Sequence, residues 1–186
     1  MELMEAIKGR RSIRKYKPDQ VSEDDLQTIL EASRWAPSWG NSQCWDFVVV
    51  RDPETKKKLS QTLDLANPAI EAIALAPIVL VACARLGLSG FRRGIRYGDK
   101  AEWFMFDVAL ALQNLTLTAH SLGLGTVHVG WFDAKKAAEI LNVPEGVVVV
   151  ELMPLGHPAE APTTRPRKEL KDIVFYEKYG VKKEGI

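Results

Sequence analysis

Apolar residues recur along this 186-residue chain at two spacings, and each change of spacing marks an element. Leu3, Met4 and Ile7 fit a short helix ending near Gly9. In VSEDDLQTILEASRWAP, Leu26, Ile29, Leu30 and Ser33 share a face, Ser22 stands where an N-cap hydroxyl is needed, and Pro37 stops the helix. PSWGNSQCW reads as a loop of turn formers and DFVVVRD as a strand. Pro53 opens a helix expected over 53–63, because a first-turn residue has no use for its N–H. PIVLVACAR is apolar up to its last residue, the pattern of a strand covered on both faces and therefore central in a sheet.

GLSGFRRGIRYGD is a glycine-rich, basic and aromatic loop long enough to act as a lid. The longest helix is expected over 102–122; it is apolar nearly all round, which predicts burial on most sides, at the centre of the fold or at a subunit contact. GTVHVGWF, DAKKAAEILN with Asp133 as N-cap, and GVVVVELMPLGHP predict strand, helix and strand. The tail TTRPRKELKDIVFYEKYG carries an amphipathic stretch at Ile173, Val174, Phe175 and Tyr176. Helices and strands interleave, but clean βαβ units are too few for a doubly wound sheet.

Composition narrows the class. With 46% hydrophobic and 26% charged residues, and no repeat or linker, 1–186 reads as one ordinary globular domain. A net charge of +1 supplies no global basic field, so nucleic acid is not an expected partner. The N-terminus lacks the apolar core of a signal peptide, and the uncharged run 108–132 is interrupted by amides, hydroxyls and glycines; a cytoplasmic protein without a membrane span is expected. Two cysteines outside any CxxC motif make no disulfide framework, and Cys83 reads as a small core residue. The three histidines are not spaced with carboxylates as metal ligands, and no phosphate loop or nucleophile elbow occurs, so no metal is expected. An enzyme built this way leaves the difficult step to a cofactor.

One local feature stands out against this background. Arg10, Arg11, Arg14 and Lys15 place four cations within six residues, with Ser12 among them. They could complement the negative end of the first helix as a solvated face, or hold an anion through guanidinium forks and a hydroxyl. Arg165 and Arg167, stiffened by Pro166, form a second pair far along the chain. Both clusters could converge on one phosphate, which spacing alone does not decide.

Arg10-Arg11-Ser12-Ile13-Arg14 after an N-terminal helix, then EASRWAPSWGNSQCWDFVVV, GLGTVHVGWF and RPRKELKDIVFYEKYG, resembles in order and spacing the nitroreductase family of flavin enzymes. The resemblance spans essentially the whole chain and tips the arginine cluster towards the anion site. It implies an α+β, nitroreductase-like three-layer fold with a mixed, mainly antiparallel sheet flanked by helices, in an intertwined homodimer centred on the 102–122 helix and embraced by the tail. It also implies FMN at the subunit interface and NAD(P)H as electron donor. Arg10, Arg11 and Ser12 match positions that hold the phosphate and ribityl chain, and Arg165 and Arg167 match cations closing on that phosphate. Arg14 matches a cation at the N1/C2=O edge, which would favour the anionic reduced ring. Pro37, Ser38, Trp39 and Asn41 match the loop reaching in from the other subunit; Gly130 and Trp131 match positions whose amides face the N5/O4 edge. Trp39 stands where the family often has a small residue. The implied activity is ping-pong hydride transfer from NAD(P)H through flavin N5 to nitroaromatic, quinone or similar acceptors. A non-catalytic flavin-binding or redox-sensing module, or flavin-dependent dehalogenation or dehydrogenation on the same fold, remain open beside it.

Overall fold

In the strand Ile78–Arg85 successive side chains serve two different cores, and this divides the molecule into layers. Ile78, Leu80, Ala82 and Ala84 pack into one cluster, Val79, Val81 and Cys83 into another, and all seven are buried. A strand apolar on both faces can be stable only when both faces are covered. The computed structural model describes residues 1–100 and 102–183.

In chain order the elements are α1 (Leu3–Gly9), α2 (Glu23–Arg34), β1 (Trp45–Val50), α3 (Pro53–Ser60), α4 (Ile70–Leu75), β2 (Ile78–Arg85), β3 (Phe91–Arg92), β4 (Ile95–Arg96), α5 (Phe104–Ser121), β5 (Gly125–Thr126), α6 (Ala134–Ile140), β6 (Val147–Gly156) and α7 (Leu170–Ile173). The main sheet has the order β1-β2-β6-β5, each ladder antiparallel. A parallel bridge from Ser12 to Thr126 extends it at the β5 edge. Helices α2 and α5 cover one face through Leu26, Ile29, Val108, Leu112 and Leu115; α3, α4 and α6 cover the other through Leu59, Ile73 and Ala137. The expected α+β class with a central β2 describes this arrangement.

Local codes account for most boundaries. The Ser22 hydroxyl accepts from the Asp25 amide, Asp52 caps α3 with Pro53 in its first turn, and Asp133 accepts from the Lys136 amide. Three expectations need correction. Helix α3 stops at Ser60, because Leu63 leaves helical geometry to bridge Phe132. GTVHVGWF forms a ladder only at Gly125–Thr126; beyond it, Val127 and Val129 keep their burial while isolated bridges tie Val129 to Leu152 of β6 and Phe132 to Leu63 in the loop after α3. The glycine-rich loop contains the β3–β4 hairpin, and α4 was not expected. Helix α5, expected at the centre of the fold or at a subunit contact, buries one face within the chain and leaves Met105 and Phe106 more than half exposed.

Candidate functional site

The arginine-rich segment leaves α1 and lies along the sheet edge. Ile13 N–H donates to Thr126 O at 2.9 Å, Lys17 N–H to His157 O at 2.9 Å and Ala159 N–H to Lys15 O at 2.9 Å. The Glu160 carboxylate accepts the Arg14 amide at 2.6 Å and the Lys15 amide at 3.2 Å. Tyr16 adds a phenol hydrogen bond to Ile13 O at 2.6 Å. Ile13 itself is buried and anchors the segment by about 1.5–3 kcal/mol of apolar burial. These contacts hold the cationic stretch in place along the sheet edge.

The other end of the chain arrives at the same place. Arg10, Arg11, Ser12, Arg14, Arg165 and Arg167 line one cavity of about 410 Å³, and no carboxylate lines it. Burial, with Arg11 and Arg167 adding repulsion, lowers the Arg10 pKa from its ordinary value. Arg11 donates to Lys8 O at 2.7 Å, Arg10 O at 2.8 Å and the Thr164 hydroxyl, so it ties the end of α1 to the returning tail. Arg14 Nε is buried with no hydrogen-bond partner among the described residues. Such a donor costs about 1–3 kcal/mol until something accepts from it. Five guanidinium groups around an acid-free cavity, one with an orphaned donor, fit an organophosphate anion. Arg10, Arg11 and Arg14 are partly buried there, while Arg165 and Arg167 on the returning tail stay exposed.

The remaining expected residues lie elsewhere in the single chain. Pro37, Ser38, Trp39 and Asn41 do not line the arginine cavity, nor do Gly130 and Trp131. Loop 38–43 is held in a constrained shape: Gly40, Asn41 and Gln43 have φ of 55°, 58° and 45°, and the Ser38 hydroxyl accepts from the Gln43 amide at 3.0 Å. A Cβ at Gly130 would meet nothing within 4 Å, and Trp131 is exposed with its carbonyl held by Asn67 Nδ2 at 2.9 Å. The open backbone at 130 leaves room for a flat ring to approach.

Two positioning residues were not identified from the pattern. Asp107, 1% exposed, accepts from the Trp39 amide at 3.0 Å through Oδ1. Its Oδ2 accepts from the Ser42 hydroxyl at 3.1 Å and the Ser89 hydroxyl at 2.6 Å. The legible signal was a lone carboxylate in the first turn of an otherwise apolar helix. Glu160 carried no comparable signal, since its role depends on the amides brought to it.

A family model described as Nitroreductase family matches residues 7–157. An NADH dehydrogenase of Thermus thermophilus is 34% identical over 90% of this chain and 92% of its own length. An FMN reductase (NAD(P)H) of Bacillus subtilis is 32% identical over 96% of this chain and 74% of its own. The crystal structure of a nitroreductase family protein from Clostridium novyi superposes with a TM-score of 0.78 at 31% identity, covering 98% of this chain and 97% of that one. With the layered sheet and the converging arginines already in place, these matches assign the chain to the nitroreductase family.

Proposed function

We propose that this chain is an FMN-dependent NAD(P)H oxidoreductase that works as a homodimer. The carrying observation is the acid-free cavity that Arg10, Arg11, Arg14, Arg165 and Arg167 line together. Arg10, Arg11, Arg165, Arg167 and the Ser12 hydroxyl would hold the FMN phosphate, where several guanidinium groups offset the desolvation of a dianion better than one. Arg14 would donate its orphaned Nε to the ligand and present positive charge to the ring edge. The main chain at Gly130 and Trp131 would border the other edge, with loop 37–41 of a second copy closing over the ring. When bound, FMN supplies a two-electron carrier that accepts hydride at N5.

Apolar surface left open on one chain supports the dimer. Leu3, Met4 and Ile7 on α1 and Met105 and Phe106 on α5 are each at least 45% exposed, large apolar side chains that a second copy could cover. Exposed Trp131 and the Trp39–Tyr97 aromatic pair supply stacking surface with few polar anchors, which suits planar acceptors such as quinones and nitroaromatics in alternation with the nicotinamide. The names of the relatives, FMN reductase and NADH dehydrogenase, agree with this chemistry. The test is the visible spectrum of the purified protein after incubation with FMN and gel filtration, followed by anaerobic NAD(P)H oxidation with a quinone. A bound flavin that NAD(P)H bleaches and a quinone restores is expected; a colourless protein overturns the reading.

A further inference from the structure

The β3–β4 hairpin is a cationic arm fastened to the same loop that the proposed function places over the flavin. Its base and that loop share one carboxylate: Asp107 holds Ser89 Oγ at 2.6 Å and the Trp39 amide at 3.0 Å. Higher up, the Tyr97 ring lies 6.3 Å from the Trp39 ring. The Tyr97 amide closes the hairpin onto Gly90 O at 2.9 Å. The arm and the loop therefore form one unit.

The tip is built against local preference. Arg93 and Gly94, the two residues between the strands, have φ of 53° and 74°, the signs of a type I′ turn. Asn or Gly is the ordinary first residue of such a turn, and an arginine there accepts a strained backbone. Residues 91–102 carry four cations, Arg92, Arg93, Arg96 and Lys100, against Asp99 and Glu102. Glu102 is engaged by the Gly87 amide at 2.9 Å, and among the described residues Asp99 approaches Lys100 alone, at 3.9 Å. Arg96 Nε donates to Lys100 O at 3.0 Å and so latches the arm. Among the described residues Arg92 and Arg93 pair with no carboxylate, and both are exposed.

We propose that Arg92 and Arg93 recognise the 2′-phosphate of incoming NADPH, so that the hairpin sets a preference for NADPH over NADH. The inference rests on the flavin reading of loop 37–41. A guanidinium pair beside stacking aromatics matches a phosphomonoester carried on a planar nucleotide. Both side chains are solvated, so the recognition is sensitive to salt.

The experiment compares the FMN-loaded protein with its Arg92→Ser/Arg93→Gly variant. Glycine suits the left-handed turn position, so the hairpin keeps its shape. The ratio of kcat/KM for NADPH to that for NADH is expected to fall about tenfold or more in the variant at wild-type flavin content. Adenosine 2′,5′-bisphosphate, titrated calorimetrically into the loaded protein, is expected to lose affinity by a similar factor. In the wild type, that affinity weakens between about 50 and about 300 mM KCl. A wild-type preference for NADH, or a ratio unmoved by the substitutions, overturns the inference while leaving the flavin reading intact. A variant that instead loses discrimination between free FMN and riboflavin as acceptors assigns the hairpin to the acceptor phosphate and also overturns it. A wild-type protein that takes up no FMN overturns the underlying reading.

Discussion

Ile13 and Gly125 pack so closely that no side chain fits between them: a Cβ on Gly125 would lie 2.7 Å from Ile13 Cγ1 and 2.8 Å from Ile13 Cβ. This contact, with the Ile13 amide on Thr126 O, sets the height of the arginine segment on the sheet edge. Gly125→Ala is expected to cost about 1–3 kcal/mol by overpacking and to weaken FMN binding as the segment shifts. Urea denaturation and quenching of flavin fluorescence measure the two effects together.

Gly130 supplies the contrast. Nothing within the chain opposes a Cβ there, so Gly130→Ala is expected to leave stability within about 0.5 kcal/mol. The same methyl group would stand in the space proposed for the ring edge. Weaker FMN binding with an unchanged urea midpoint is the expected result.

Arg10 and Arg167 share a cavity although they come from opposite ends of the chain. Replacing either with Ala is expected to weaken FMN binding about tenfold or more, the loss of one charge-assisted contact. Riboflavin, which lacks the phosphate, should lose little. In a double-mutant cycle the two losses are expected to be non-additive, because both groups address one anion. Additive losses would place them on separate features.

Asp107 gathers the Trp39 amide and the Ser42 and Ser89 hydroxyls. Asp107→Ala leaves buried donors unmet and is expected to cost about 2–4 kcal/mol, with loss of flavin retention. Asp107→Asn keeps an acceptor for the Trp39 amide and can donate to either hydroxyl, so it should recover most of both. Thermal melts and bound-flavin content of the two variants check this.

His120 faces Arg10 and Arg11 across Gly9, and burial followed by those two cations lowers its pKa from the ordinary 6.5. The unfolded chain takes up the proton that the native protein resists, so stability is full above the ordinary value and declines as pH falls through it. Flavin-free protein is therefore expected to melt lower at about pH 5.5 than at about pH 7.5, and His120→Gln to narrow that gap. Differential scanning calorimetry reads it directly.

The reach of sequence reasoning follows the range of the forces involved. Ser22, Asp133 and Pro53 act within one turn of their own positions, so helix starts could be read from neighbouring residues. The double-sided burial of β2 was written into seven consecutive apolar residues, 78–84. The arginine clusters were visible as residue types, and the family resemblance linked them, but no periodicity reports that two distant segments meet. That meeting depends on Ile13 seating against Gly125 and on Glu160 receiving two amides, contacts made only when the chain has folded back on itself. The same holds where the pattern misled. GTVHVGWF alternates like a full strand, yet β6 offers it a ladder at only two residues, and the 87–99 segment reads as a loop until Tyr97 and Ser89 find their partners. The sequence by itself determined which residues prefer helix, strand or burial, because those preferences are local. Tertiary structure alone decided which charges share a cavity, because that choice is made by the packing energy of the whole fold.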